Sequence, residues 1–279
     1  MIDINKIKDK AFEERVSTSL IFKEYVHFFV LDYLFKKGMF SHLVFQGGTA
    51  LRLVYNGLRY SEDLDFVLNE EKSEFFKKIP GEIKLLPSYL GKSFSFIKKS
   101  ELKAQKDTAL FKRYCLILEA DFLPAKDKTN IEIANVLSYE NKQIILQRSE
   151  VFVAPVISVE TPQEIFSDKI VAFGARQYLK GRDVWDIYFM LDTIKVVLTS
   201  EIIDMVNKKL SDYGLSRKKF IAEFDQKLII LRKQGEDILY QEMKRFLPLI
   251  YRQAFKKNWL DICCNVALIL EKAIASLKK

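Results

Sequence analysis

The chain of 279 residues is poor in the residues that most often announce a metal centre, with three cysteines and two histidines. Cys115 stands alone and Cys263 and Cys264 are adjacent, a spacing that fits neither a zinc ligand set nor an even disulfide framework. A reduced cytoplasm fits this usage best. There is no Walker Gly-Lys-Ser/Thr loop and no Gly-x-Ser-x-Gly elbow, which argues against P-loop and serine-hydrolase chemistry. No membrane segment is evident: the most apolar stretch near the start, Tyr25 to Phe35, is interrupted by His27 and Asp32 and is too short to span a bilayer. The opening MIDINKIKDKAFEERV mixes acids and bases without an apolar core, so secretion is not indicated. Internal repeats and low-complexity tracts are also missing.

What is present suits a folded protein. Hydrophobic residues make up 49% and charged residues 29%, enough for one enzyme-sized unit or two closely packed subdomains. The formal net charge of +8 favours acidic partners such as nucleic acid, although a basic solvated surface has the same signature.

The stretch Val44 to Leu68 carries the chemistry. It reads as a strand (Leu43 to Gln46), a glycine turn (Gly47, Gly48), a helix beginning near Thr49, and a second strand bearing Asp63 and Asp65. The glycines let backbone amides approach a phosphate, and Thr49 offers it a hydroxyl. Side chains at i and i+2 of a strand share a face, so Asp63 and Asp65 project together while Leu64 and Phe66 turn to the core. Paired carboxylates beside a phosphate cradle suit a hard divalent cation, Mg²⁺ or Mn²⁺. Arg52 and Arg59 are read either as phosphate or RNA contacts or as electrostatic braces for Glu62 and Asp63.

Elsewhere, apolar spacing predicts one amphipathic helix over residues 10 to 37, stopped by Gly38, with His27 as a packing or surface residue. Glu70 to Lys78 reads as a short polar helix or loop before a Pro80-Gly81 turn. Residues 82 to 107 interleave lysines with Tyr89, Phe94 and Phe96, either an RNA-following surface or a solvated hairpin whose aromatics fill the core. Ala109 to Phe122, Asn130 to Val136 and Gln143 to Val153 read as strands. Thr161-Pro162-Gln163-Glu164 is a helix-start signature, after which the chain reads as helical, with turns near Lys180-Gly181, Thr199-Ser200, Gly214, Gly235 and Asn258.

The strings Gly47-Gly48-Thr49-Ala50-Leu51-Arg52 and Arg59-Tyr60-Ser61-Glu62-Asp63-Leu64-Asp65 resemble the nucleotidyltransferase superfamily and, within it, the AbiEii-type toxins of abortive-infection and toxin–antitoxin systems. The resemblance continues through Lys169 on a helix and Arg182-Asp183-Val184-Trp185-Asp186, and so covers roughly residues 44 to 190. It implies an α+β fold: a nucleotidyltransferase-like mixed β-sheet domain flanked by helices over 1–158, followed by an α-helical C-terminal domain over 159–279, with the active site in the cleft between them. It also implies a third carboxylate on a later strand. Glu132 is the first candidate, Asp121 the competitor, and a plain solvent-facing glutamate the alternative.

On this reading Asp63, Asp65 and Glu132 hold metal and Lys169 offsets charge on the leaving pyrophosphate. Gly47, Gly48, Thr49, Lys169, Arg182 and Asp183 meet the nucleotide. Asp183 could instead cap the next helix, and Asp186 could pair with Arg182 or Lys169. The implied activity is metal-dependent transfer of a nucleoside monophosphate from a nucleoside triphosphate to an acceptor hydroxyl, with RNA such as tRNA as acceptor. The implied setting is the bacterial cytoplasm, with a separately encoded antitoxin as partner. Two other readings stay open: a catalytically inactive nucleotide-binding regulator, and an RNA-binding module.

Overall fold

The computed structural model describes residues 3–70, 74–147 and 154–278. The chain divides into two compact units, Met1–Asn56 with Tyr60–Glu160, and Gly57–Arg59 with Thr161–Lys279. The first is mixed α and β and the second is helical, the α+β class that the motifs imply.

The first unit runs α1 (Ile4–Glu14), α2 (Thr18–Lys36), β1 (Leu43–Gln46), α3 (Gly47–Leu53), β2 (Leu64–Leu68), α4 (Phe75–Glu82), α5 (Leu86–Ser93), β3 (Ile97–Asp107), β4 (Phe111–Ala120), β5 (Asp127–Leu137), β6 (Asn141–Ile145) and β7 (Val156–Glu160). All seven strands form one sheet in the order β3-β4-β5-β2-β1-β7-β6. The sheet is mixed: β2 is parallel to β5 and β1 to β7, while the other neighbours are antiparallel. The short β1 and β2 sit at its centre, and their runs of Leu43, Val44, Phe45 and Phe66, Val67, Leu68 are buried, as strands covered on both faces must be. Beside α2, the Phe22 ring meets Phe94, Phe96 and Phe122 at 5.8, 5.9 and 5.5 Å. Phe94 and Phe96 therefore fill the core, and Tyr89 hydrogen-bonds Asp32, so the aromatics of residues 82 to 107 are packing groups and not an RNA platform.

Four local expectations change. The single helix over residues 10 to 37 is two helices, because Arg15 adopts φ 54° and closes α1, and the Ser17 hydroxyl then caps α2 by accepting from the Leu20 amide at 3.2 Å. The Pro80-Gly81 pair lies inside α4 and not in a turn. Of the strand read over Gln143 to Val153, β6 ends at Ile145 and residues 148–153 lie outside the described residues, as do residues 71–73 of the polar stretch after β2. Val156–Glu160, to which the sequence reading assigns no strand, is an interior strand of the sheet.

The helical unit comprises α6 (Pro162–Ala175), α7 (Gly181–Asp192), α8 (Ser200–Asp212), α9 (Arg217–Phe246), α10 (Leu249–Ala254) and α11 (Trp259–Lys278). The Thr161 hydroxyl accepts from the Glu164 amide at 3.3 Å and Pro162 opens α6, as the start signature predicts. Gly235 does not make a turn. It lies within the 30-residue α9, where a Cβ would come within 2.7 Å of Leu231 Cδ1 and 3.1 Å of Cys263 Sγ on α11. This glycine permits close helix packing. Among the described residues no helix is long and apolar enough to cross a membrane.

Candidate functional site

The sheet register assembles the acids. Gln46 of β1 lies opposite Asp65 of β2, Asp65 opposite Glu132 of β5, and Glu132 opposite Arg113 of β4. Arg113 in turn faces Lys106 of β3, so a single polar rung crosses five strands. Gln46, Asp65, Glu132 and Arg113 are partly exposed, whereas the residues on either side of them (Phe45, Leu64, Phe66, Ile131, Ile133, Lys112, Tyr114) are buried. The two-residue period of the strand thus puts the whole rung on one open face. Neighbouring strands are about 4.8 Å apart, so Asp65 and Glu132 are adjacent residues on that face.

Asp63 precedes β2 instead of lying within it. Its Oδ1 accepts from Asn130 Nδ2 at 3.0 Å, and Asn130 stands two residues before Glu132 as Asp63 stands two before Asp65. Three carboxylates and an amide are therefore gathered at the start of β2 and on β5. The Glu132 Oε1 lies 2.7 Å from Arg113 Nε, so this acid is already ion-paired. The competing candidate, Asp121, pairs with Lys98 just beyond the far end of β4, eight residues along from Arg113 and about 25 Å from the rung. It is not part of this group.

Gly47 adopts φ +78°, and a Cβ there would sit 2.6 Å from the Asp65 Oδ2. The turn is glycine both because the backbone enters the left-handed region and because the Asp65 carboxylate occupies the space a side chain would need. α3 starts at Gly47, two residues earlier than the expected start near Thr49. The Thr49 hydroxyl, expected to meet a phosphate oxygen, is fully buried and donates to the Asp63 carbonyl, tying the glycine turn to the acid segment.

Other side chains brace the same segment. Lys23 Nζ lies 3.1 Å from Glu62 Oε1, and the His27 Nε2 is 3.2 Å from the Glu62 carbonyl. Burial pushes the His27 pKa down to about 4, against the carbonyl contact that raises it, so the ring is neutral at pH 7 and its Nε2–H donates. Arg52 pairs with Glu24 at 2.6 Å and stacks on the Tyr60 ring at 4.0 Å.

In the helical unit a second charge group forms around Lys169. Its ammonium lies 3.1 Å from Asp183 Oδ1 and 2.7 Å from Asp186 Oδ2. Arg59 donates to both Asp186 oxygens at 2.6 Å, and Arg176 Nε lies 3.2 Å from Asp183 Oδ2. Lys169, Asp183, Asp186 and Arg59 are all buried. Burial would raise the Asp186 pKa, but the Arg59 guanidinium and Lys169 outweigh it and hold the carboxyl near 2. Asp183 is not the cap of α7: Lys180 holds that position, and Asp183 sits in the first turn, where its charge favours the helix dipole. The Arg182 amide donates to Glu242 at 3.0 Å, and its side chain is partly exposed. Sequence reading missed Arg113 and Asn130, whose signal is cross-strand register, and the partnership of Arg59 with Asp186, 127 residues apart.

A mixed sheet with a glycine turn leaving one central strand and an acid pair entering the next defines a nucleotidyltransferase-type fold. JHP933 from Helicobacter pylori superposes with a TM-score of 0.53 at 16% identity, over 94% of this chain and 95% of that one. A candidate nucleotidyltransferase from H. pylori gives 0.54 at 16% identity, over 94% and 98%. At that identity the likeness is one of fold. The family described as "Nucleotidyl transferase AbiEii toxin, Type IV TA system" matches residues 30–262, and the chain belongs to this family. No curated protein matches the chain.

Proposed function

We propose that the chain is a divalent-cation-dependent nucleotidyltransferase that moves a nucleoside monophosphate from a nucleoside triphosphate to an RNA hydroxyl. The observation that carries this reading is the rung on which Asp65 and Glu132 are direct neighbours, with Gly47 pressed against Asp65 and Asn130 holding Asp63. The donors are hard oxygens at half-exposed positions, a set that fits Mg²⁺ or Mn²⁺ and would not favour a soft metal. Asp63, Asp65 and Glu132 would hold the cation. When bound, it supplies Lewis acidity toward the phosphoryl oxygens and lowers the pKa of an attacking hydroxyl.

The chain's own groups do the rest. Backbone amides at Gly47 and Gly48 meet the phosphates, and a carboxylate of the rung accepts the proton of the acceptor hydroxyl. The acceptor oxygen bonds to the α-phosphorus as the bridge to the β-phosphate breaks and pyrophosphate leaves. Lys169, Arg182 and Asp183 are assigned to the nucleotide. Arg182 offers a partly exposed side chain, while Lys169 must release one of its two carboxylates to meet a phosphate. Family membership supports a toxin role with a separately encoded antitoxin, and the net charge of +8 supports an RNA acceptor.

The test is incubation with each α-labelled nucleoside triphosphate, Mg²⁺ or Mn²⁺, and total cellular RNA, with Asp65→Ala alongside. The proposal expects label in RNA with the wild type and none with the variant. Equal labelling by both removes the site assignment. The Arg113–Glu132 ion pair favours a second reading, an inactive nucleotide binder, which would bind nucleotide with metal but transfer no label.

A further inference from the structure

The rung is electrically divided. Its β2 and β5 members are acids, and its β4 and β3 members, Arg113 and Lys106, are cations directly opposite one another. Like charges opposed across an antiparallel pair are destabilising, so the arrangement asks for a reason. The register reaches it through an irregularity in β3: Ala104 faces Tyr114 but Lys106, not Gln105, faces Arg113. Bulges of this kind re-aim a side chain, here an exposed lysine toward the rung's face.

Between the two cations lies Phe111, two residues before Arg113 and half-exposed. Lys106 Nζ stands 5.1 Å from its ring centroid and Arg113 Cζ 5.7 Å. Among the described residues no carboxylate pairs with Lys106, and the Arg113 side chain is 42% exposed although it pairs with Glu132. An accessible ring flanked by two cations is the ordinary means of holding single-stranded nucleic acid, one base stacked and the adjoining phosphates neutralised.

Resting on the nucleotidyltransferase reading, we propose that Lys106, Phe111 and Arg113 bind the single-stranded end of the acceptor RNA. The order along the rung favours the acceptor over the triphosphate. The glycine turn leaves β1 at one side of the acids, and the cation–aromatic strip lies on β4 and β3 at the other, with Asp65 and Glu132 between. Donor phosphates at the turn and acceptor at the strip would approach the acids from opposite sides. β4 lies about 10 Å from β2, within reach of the terminal nucleotides of a strand stacked on Phe111. Lys106, Phe111 and Arg113 are then positioning residues.

The experiment measures anisotropy of a fluorescein-labelled single-stranded oligouridylate with the full chain in EDTA, so that neither metal nor catalysis is needed. Phe111→Ala should weaken binding about tenfold, whereas Phe111→Tyr, which keeps the ring, should stay within about twofold. Lys106→Gln and Arg113→Gln should each lower the salt-dependence slope by about 0.7. Asp65→Ala should bind as well as the wild type or better. Wild-type affinity in all three strip variants overturns the inference, as does failure of the wild-type chain to bind the oligonucleotide at low salt. Loss of binding to a labelled non-hydrolysable triphosphate with Mg²⁺, with oligonucleotide binding unchanged, would reassign the strip to the donor and also overturn it. If the strip variants lose oligonucleotide binding while the wild type transfers no label to RNA, the nucleotidyltransfer reading fails and the strip's affinity for RNA remains.

Discussion

The chain holds two groups of charges that contrast in their surroundings. At the start of β2 and on β2 and β5, Asp63, Asp65 and Glu132 are partly exposed. In the helical unit, Arg59, Lys169, Asp183 and Asp186 are buried and two cations are shared between two acids. Breaking a buried ion pair leaves an uncompensated charge in a low dielectric, so such a group is held together by what its removal costs. Neighbouring half-exposed acids repel one another and are relieved when one is removed. The buried group in the helical unit is held in shape by its own pairs, and the sheet acids are the group proposed above to receive a ligand.

The largest effect tests the second half of that contrast. Asp65→Ala is expected to lower nucleotidyl transfer by at least ~10²–10³-fold, the scale for loss of one electrostatic contact to a transition state. Its unfolding free energy, read from chemical denaturation, should change by less than about 1 kcal/mol. A comparable loss of stability and activity would mean that Asp65 is structural. Asp186→Ala should show the opposite pattern, destabilising the chain by about 3–5 kcal/mol, because Arg59 and Lys169 lose their shared partner. Asp186 also predicts a pH limit: its folded pKa lies below the unfolded 3.8, so its contribution is full above about pH 4 and is lost as pH falls toward 2.

His27 gives a smaller and separable signal in the sheet unit. Its folded pKa, about 4, lies below the ordinary histidine value of 6.5, so the unfolded chain binds the extra proton first and stability falls as pH drops between those values. Between pH 7 and pH 5 the loss should be about 2 kcal/mol, and His27→Gln should flatten that part of the profile. An unchanged profile in the variant would show that another group titrates there. Since His27 donates to the Glu62 carbonyl, next to Asp63, acid should loosen the entry to β2 before it touches the Lys169 group.

Much of this organisation is legible in local sequence, because its signals are local. Two glycines before a helix and acids two apart after it mark the turn and the first two carboxylates without any knowledge of partners. The alternation Ile131, Glu132, Ile133 shows a single acid on a polar face, but only register sets it beside Asp65. Lys106 reads as part of the lysine-rich stretch 82 to 107, and Phe111 and Arg113 as part of the strand over Ala109 to Phe122, until a bulge in β3 sets Lys106 opposite Arg113. Val156–Glu160 escapes notice because Pro155 and Pro162 punctuate it like a linker, whereas its apolar run is what a buried strand requires. Gly235 reads as a breaker, although it is a packing position where a Cβ would crowd both Leu231, one turn back, and Cys263 on another helix. For Glu132 the decisive partner, Asp65, is far away in the chain.

Thr49 carries the smallest expected effect and divides the two behaviours within one turn. Its buried hydroxyl donates to the Asp63 carbonyl, so Thr49→Val, which keeps the shape, leaves that carbonyl without its donor. The expected cost is about 1 kcal/mol of stability, read from denaturation, with kcat reduced severalfold through displacement of Asp63 and with KM for the nucleoside triphosphate unchanged. Were the hydroxyl a phosphate ligand instead, KM would rise and the folding midpoint would stay where it is. The distinction matters because Gly47 and Thr49 are two residues apart: one makes room for the Asp65 carboxylate, the other fastens the backbone that carries Asp63. A stability loss confined to Thr49→Val would mean that the turn fixes the separation of its two acids before any phosphate arrives.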